Sequence, residues 1–177
     1  IIRRAVRLGS RKIFRTKETV IQKITPFLWF DNNAEEAANF YLSVFNDSKL
    51  LKVSRYSEAG PGPKGSVMVA EFEIQGQKFI ALNGGPHFKF TEAVSFAVNC
   101  ENQEEVDYFW TKLSEGGETS QCGWLKDTFG LSWQITPIIL GELMATRDPE
   151  KAKRVMNAML QMTKIEIEPL RRAAEGN

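Results

Sequence analysis

Few side chains in this sequence are reactive, and they are scattered. His87 is the single histidine of 177 residues. Any histidine-based proton relay must run through it, and a multi-histidine metal site is excluded. It follows Gly84-Gly85-Pro86 and precedes Phe88. In such a loop a lone imidazole either moves protons or simply meets water. Cys122 lies between Gln121 and Gly123, beside Trp124. A nucleophilic cysteine needs a nearby cation or a helix N-terminus to lower its pKa, and the sequence places neither. Glu71 and Glu73 share one face of a strand. Paired carboxylates do acid–base work when their environments separate their pKa values; an exposed strand face explains them equally. Gly60-Pro-Gly-Pro-Lys-Gly65 spells GxGxxG. A dinucleotide fingerprint follows a strand and opens a helix. This one holds two prolines and leads into the strand-like Val67–Ile74, so it reads as a loop. No doubly wound nucleotide unit for S-adenosylmethionine is recognisable.

The elements that hold these groups come in duplicate. Ile24–Phe45 aligns without a gap on Ala93–Ser114, so that Phe27 falls on Phe96, Asn33 on Asn102, Glu36 on Glu105 and Phe40-Tyr41 on Phe109-Trp110. Each copy reads as a short apolar strand, an Asn helix cap, an acid that reaches back in a capping box, then apolar residues at helical spacing. The first stripe is Ala37, Phe40, Tyr41, Val44 and Phe45; the second is Val106, Phe109, Trp110 and Leu113. About three strands follow each helix. They are Leu50–Tyr56, Val67–Ile74 and Lys78–Leu82 in the first copy, and Thr119–Leu125 and Leu131–Pro137 in the second. A last region is helical, capped by Asp148 with Pro149 at its first position, and Ala152, Val155, Met156, Met159 and Leu160 form its expected buried stripe. Strand parity puts Phe96, Val98, Trp133 and Ile135 on a helix-packing face, and Ser95, Asn99, Ser132 and Gln134 on the other. Carried through the repeat, Phe27 and Trp29 join the helix-packing face, Leu28 and Phe30 the opposite one. That opposite face is either a wet pocket or the solvent side of a sheet.

Composition narrows the class. Apolar residues make 42% and charged residues 25% of the chain, as in an ordinary globule. No run approaches a membrane span of about 18 apolar residues, and no secretory signal is visible. Two cysteines, Cys100 and Cys122, are too few for a disulfide framework and fit reduced thiols in the cytoplasm. Arg3, Arg4, Arg7, Arg11, Lys12, Arg15 and Lys17 stand without an acid among them, so the net charge of +1 hides an acidic body. Such a body is a poor general nucleic-acid binder. The basic head is expected to be a disordered or artificially appended leader.

Paired strand–helix–three-strand units resemble the vicinal oxygen chelate superfamily, which includes glyoxalase I, extradiol dioxygenases and bleomycin-resistance proteins. The stretches Ile24–Asp31, Ala34–Ala37, Ala81–Pro86, Gln121–Trp124 and Asp127–Gln134 are similar to its PhnB-like branch. That branch is often labelled 3-demethylubiquinone-9 3-methyltransferase. The resemblance runs over roughly residues 20–170. It implies an α+β fold of two βαβββ units whose cupped antiparallel or mixed sheets carry helices on the convex face. The expected division is a leader at 1–19, units at 20–90 and 91–138, and a helical extension at 139–177. It also implies a homodimer and a small-molecule cavity in each cup.

Metal-dependent members of the superfamily place ligands on the first strand of each unit and near the end of its sheet. The matching positions here lie near Pro26, Ala93–Ser95, Gln134, and Ala81 or Asn83. Neutral amides are the best donors among them, whereas divalent cations want carboxylates or imidazoles. No cofactor and no metal-ligating residue is therefore expected, a divalent metal being disfavoured. The expected cavity is lined by Asn83, Gly84, Phe88, Ser95, Trp124 and Gln134. The first reading is a metal-free, cytoplasmic, homodimeric protein that binds a small organic ligand and neither nucleic acid nor membrane. The alternatives are an enzyme of the same fold, metal-assisted or using Cys122 or His87, and a non-catalytic dimerisation or partner-binding module.

Overall fold

The computed structural model describes residues 22–176; the basic leader lies outside them. The first unit runs β1 (Phe27–Phe30), α1 (Ala34–Val44), β2 (Ser48–Arg55), β3 (Val67–Ile74) and β4 (Gln77–Asn83). The second runs β5 (Ser95–Cys100), α2 (Gln103–Ser114), β6 (Glu118–Thr119), β7 (Trp124–Lys126) and β8 (Ser132–Pro137). Each unit builds one four-stranded sheet, ordered β1-β4-β3-β2 and β5-β8-β7-β6. The two orders are equivalent. In each sheet the first strand pairs in parallel with the last, and the other pairs are antiparallel. The fold is α+β and built from two βαβββ units, as the repeat predicts. Gln75 and Gly76 both take positive φ, 47° and 81°, which suits the tight turn joining two twisted antiparallel strands.

The repeat is gapless in the helices but not in the strands. Chain passes from β1 to Asn33 through Asp31 and Asn32, and from β5 to Asn102 through Glu101 alone. One extra residue reverses which side chains of a strand face the core. Leu28 and Phe30 are therefore buried at 6% and 3%, while Phe27 is 57% exposed and Trp29 half-buried. This corrects the assignment that parity carried through the gapless repeat. The second unit keeps its expected parity, with Trp133 and Ile135 buried in the core.

The helix caps diverge too. Asn102 Oδ1 accepts from the Glu105 N–H at 2.9 Å, and Glu105 Oε2 accepts from the Glu101 N–H at 2.8 Å. The Asn33 side chain makes no such capping bond to α1. Asn83, at the end of β4, supplies it instead: its Oδ1 accepts from the Ala34 N–H at 2.8 Å.

One aromatic core joins the two units. Tyr41 of α1 stacks on Phe72 of β3 and lies 5.6 Å from the Trp133 ring of β8. Phe45 reaches Phe109 of α2 and Trp133. The helix-bearing faces of both sheets thus converge on shared side chains, and the other face of each sheet is turned away from that core.

The C-terminal region is three helices, α3 (Ile138–Met144), α4 (Pro149–Leu160) and α5 (Ile167–Glu175). Asp148 caps α4 through the Glu150 and Lys151 N–H groups. Val155, Ile165, Leu170 and Ala174 make a separate small core. The expected stripe on α4 is narrower than predicted, since Met156 and Leu160 are 37% and 49% exposed. Only three short helices share the burial, too few to cover both sides of α4. Among the described residues no helix is long and apolar enough to cross a membrane.

Candidate functional site

The face of the second sheet turned away from the core carries a row of polar groups. Alternation along β8 sends Ser132 and Gln134 to it, with Leu131, Trp133 and Ile135 behind. Ser95 lies opposite Ser132, Trp124 opposite Gln134, and Lys126 opposite Ser132. Gln134 Nε2 donates to Ser95 Oγ at 2.9 Å. A cavity of about 410 Å3 lies here, lined by Trp124, Lys126, Ser132, Thr119, Ser120 and Glu92 among others. Lys126 Nζ pairs with Glu92 Oε1 at 2.5 Å and approaches Glu118 at 3.9 Å. The Glu92 carboxylate, by hydrogen bonding first, raises the Lys126 pKa, and Lys126 lowers that of Glu92 in return. Ser132 is 1% exposed, and its Oγ has no hydrogen-bond partner among the described residues.

The first sheet presents a different surface. Trp29 Nε1 donates to the Gly85 carbonyl at 2.8 Å, and Phe88 meets the indole edge-on at 5.0 Å. A Cβ on Gly84 would lie 2.3 Å from the Trp29 ring, so only glycine allows this approach. Phe88 is 65% exposed. Asn83 Oδ1 caps α1, and its Nδ2 donates to the Val67 carbonyl at 3.0 Å. Its side-chain amide is used at both ends within the fold. A cavity of about 620 Å3 adjoins it, lined by Tyr56, Pro61, Gly62 and Gly84 among others. The glycines of the GxGxxG loop have a local purpose: a Cβ on Gly60 or Gly62 would strike the Tyr56 ring at 2.7 or 2.5 Å. That loop opens β3 and no helix.

The six expected lining residues therefore fall into two groups. Ser95, Trp124 and Gln134 share the second sheet; Asn83, Gly84 and Phe88 surround the end of β4 in the first unit. His87 is exposed in the loop between the units. Cys122 is half-buried in a turn with φ 59°, its N–H held by the Met162 carbonyl at 2.7 Å. Its Sγ lies 3.7 Å from the Met159 carbonyl, a neutral acceptor. Glu73 is paired with Lys49 at 2.8 Å.

Sequence reasoning passed over two features. Lys126 is one: it alternates with Leu125 just as Trp124 does, so parity would have placed it on the polar face. Asp127 is the other, lying between the two strands expected in the second copy and given no role. It is 2% exposed and accepts from Tyr41 Oη at 2.8 Å, Trp133 Nε1 at 2.9 Å, and the N–H groups of Phe129 and Leu131 at 2.9 and 3.0 Å. Burial pushes its pKa up, and those four donors oppose the rise. No sequence signal marks the Tyr41 contact, which joins the two units.

Two matched βαβββ units, each with a helix on one sheet face and an open face opposite, define the glyoxalase/bleomycin-resistance class, the vicinal oxygen chelate superfamily. Within it, a family model described as 3-demethylubiquinone-9 3-methyltransferase matches residues 22–136, and the chain belongs to that family, the PhnB-like branch. The solved PhnB protein of Bacillus cereus is 42% identical, over 66% of this chain and 99% of that one, with a TM-score of 0.61. Protein PA1353 of Pseudomonas aeruginosa (20% identity, 66% and 98% coverage, TM-score 0.56) shares the fold. So does a fosfomycin resistance protein, FosX, of Listeria monocytogenes (16%, 72% and 99%, 0.51). A search of curated proteins finds no match.

Metal-dependent relatives raise the question of fit. Around Gln134 the donors on this face are the Ser95 hydroxyl and the Gln134 amide, both neutral and bonded to each other. Among the described residues no group of three or more His, Cys, Asp or Glu side chains comes together. This donor set does not fit a divalent cation.

Proposed function

We propose that the chain is a small-molecule-binding protein that works without a metal, as a homodimer. The observation that carries the reading is the outer face of the second sheet. It offers an aromatic wall, hydroxyls and an ammonium around a cavity, with the Gln134 amide and the Ser95 hydroxyl on the same sheet face: recognition groups for an organic ligand. The thiol of Cys122 is bonded to a neutral carbonyl, and His87 stands in a loop, so neither is arranged as an activated nucleophile or base.

The shared core supports the homodimer. The two open sheet faces turn away from each other, so one chain holds two half-cups. The first sheet's open face carries exposed Phe27 beside Trp29. Laid against the second sheet of a partner, it would close a cup and bury that apolar surface.

Elemental analysis tests the metal-free part, after incubation with Mn, Fe, Ni and Zn and thorough dialysis. The expected result is no stoichiometric metal; retention would move the protein to Lewis-acid chemistry. Light scattering on a sizing column tests the dimer, with twice the chain mass expected. Turnover of any small organic substrate that is lost in Cys122→Ala or His87→Ala would favour an enzyme instead.

A further inference from the structure

The proposed binding face says more about its ligand. Buried hydroxyls are almost always hydrogen-bonded, and an orphan one costs free energy. Among the described residues Ser132 Oγ is such an orphan, itself closed off from solvent, and Ser132 is one of the residues that line the cavity with Trp124 and Lys126. Lys126 is its cross-strand neighbour on the same face. The ammonium and the hydroxyl can both donate, and two donors on neighbouring positions of one sheet face suit an anion. One of the two is already taken by a carboxylate from the chain itself. Glu92 Oε1 sits 2.5 Å from Lys126 Nζ, yet Ser132 stays without a partner. Glu92 is exposed and lies in the segment between β4 and β5, outside both sheets.

We propose that this cavity takes the carboxylate of a small aromatic or planar organic acid, which displaces Glu92 from Lys126 and accepts a hydrogen bond from Ser132 while its ring lies against Trp124. The inference rests on the small-molecule reading above and narrows it. Exchange of one carboxylate for another leaves the charge beside Glu118 unchanged. It keeps the charge-assisted bond to Lys126 and adds the one from Ser132. Selection for an acid over its neutral counterpart follows from the ammonium, and Glu92 acts as an internal competitor for the seat.

Calorimetry with 2-naphthoate, 2-naphthamide and 2-naphthylmethylamine, joined to NMR of the Trp124 indole N–H, tests it. Naphthoate is expected to bind at least about tenfold more tightly than the amide, and to move the Trp124 signal, about tenfold being what one charge-assisted hydrogen bond supplies. Glu92→Gln should tighten naphthoate by roughly tenfold by removing the competitor. Ser132→Ala and Lys126→Met should each weaken naphthoate by about tenfold, and Lys126→Met should close the gap between acid and amide. Should Lys126→Met fail to fold, Ser132→Ala and Glu92→Gln decide the matter. Equal binding of acid and amide, or preference for the amine, would overturn the anion seat while leaving small-molecule binding standing. Binding of no probe to either wild type or Glu92→Gln would overturn it too. The metal and dimer measurements judge the broader reading independently.

Discussion

Ser132 carries a cost that its removal should reveal. Truncating a buried hydroxyl without a partner leaves nothing unsatisfied. Ser132→Ala is therefore expected to raise stability by about 1 kcal/mol, or roughly 2–4 °C in Tm for a chain of this size. A purely structural serine would give the opposite sign, and differential scanning calorimetry reads it directly. Gly84 is a counterexample on the other sheet. Gly84→Ala pushes a methyl group into the Trp29 ring and should cost about 1–3 kcal/mol in urea denaturation. The two cysteines should separate chemically. Burial, first of all, pushes the Cys100 thiol up to about 12, with the Glu105 charge adding to it. Its contribution to stability is whole below the ordinary thiol value of 9.0 and drains away as pH rises from there towards 12. At pH 8 an alkylating reagent should leave Cys100 unmodified in the folded chain and modify both thiols in urea.

Among the elements, the helices were the most legible in the sequence. Asn102, Asp148 and the apolar stripes of α1 and α2 all announce themselves through spacing and capping chemistry. The first strand was not legible, because Asn32 is one residue more than the second copy has at that joint. Such an insertion is invisible without a second chain to align. The cap of α1 was hidden for another reason: its acceptor, Asn83, comes from β4, remote in sequence. The C-terminal helices are tied to the second unit by bonds that include the Cys122 N–H to the Met162 carbonyl and the Lys164–Asp107 pair. Gln103 bonds the Ile165 carbonyl at 3.2 Å and the Ile167 N–H at 2.8 Å. Gln103→Ala should therefore loosen this region first. Faster proteolysis within residues 138–175, with the first unit still intact, is the expected outcome, at a cost of about 1–2 kcal/mol.

At the scale of the molecule, the candidate site was half legible. Parity picked out Ser95, Ser132 and Gln134, since a strand's polar alternation is written in the chain. It could not show that Ser132 is buried without a partner, because that depends on what packs over the sheet. Nor could it show how the two units meet. Tyr41 of the first unit gives its hydroxyl to Asp127 of the second, deep in the core. Asp127→Ala should cost about 3–5 kcal/mol in urea denaturation, since it orphans the Tyr41 and Trp133 donors together. That contact has a consequence for each half taken alone. A single half-domain would have only a copy of itself to bury its aromatic face against. The present halves have diverged into a lock and a key, a tyrosine on one side and an acid on the other. Neither half alone holds the partner that its member of the pair requires.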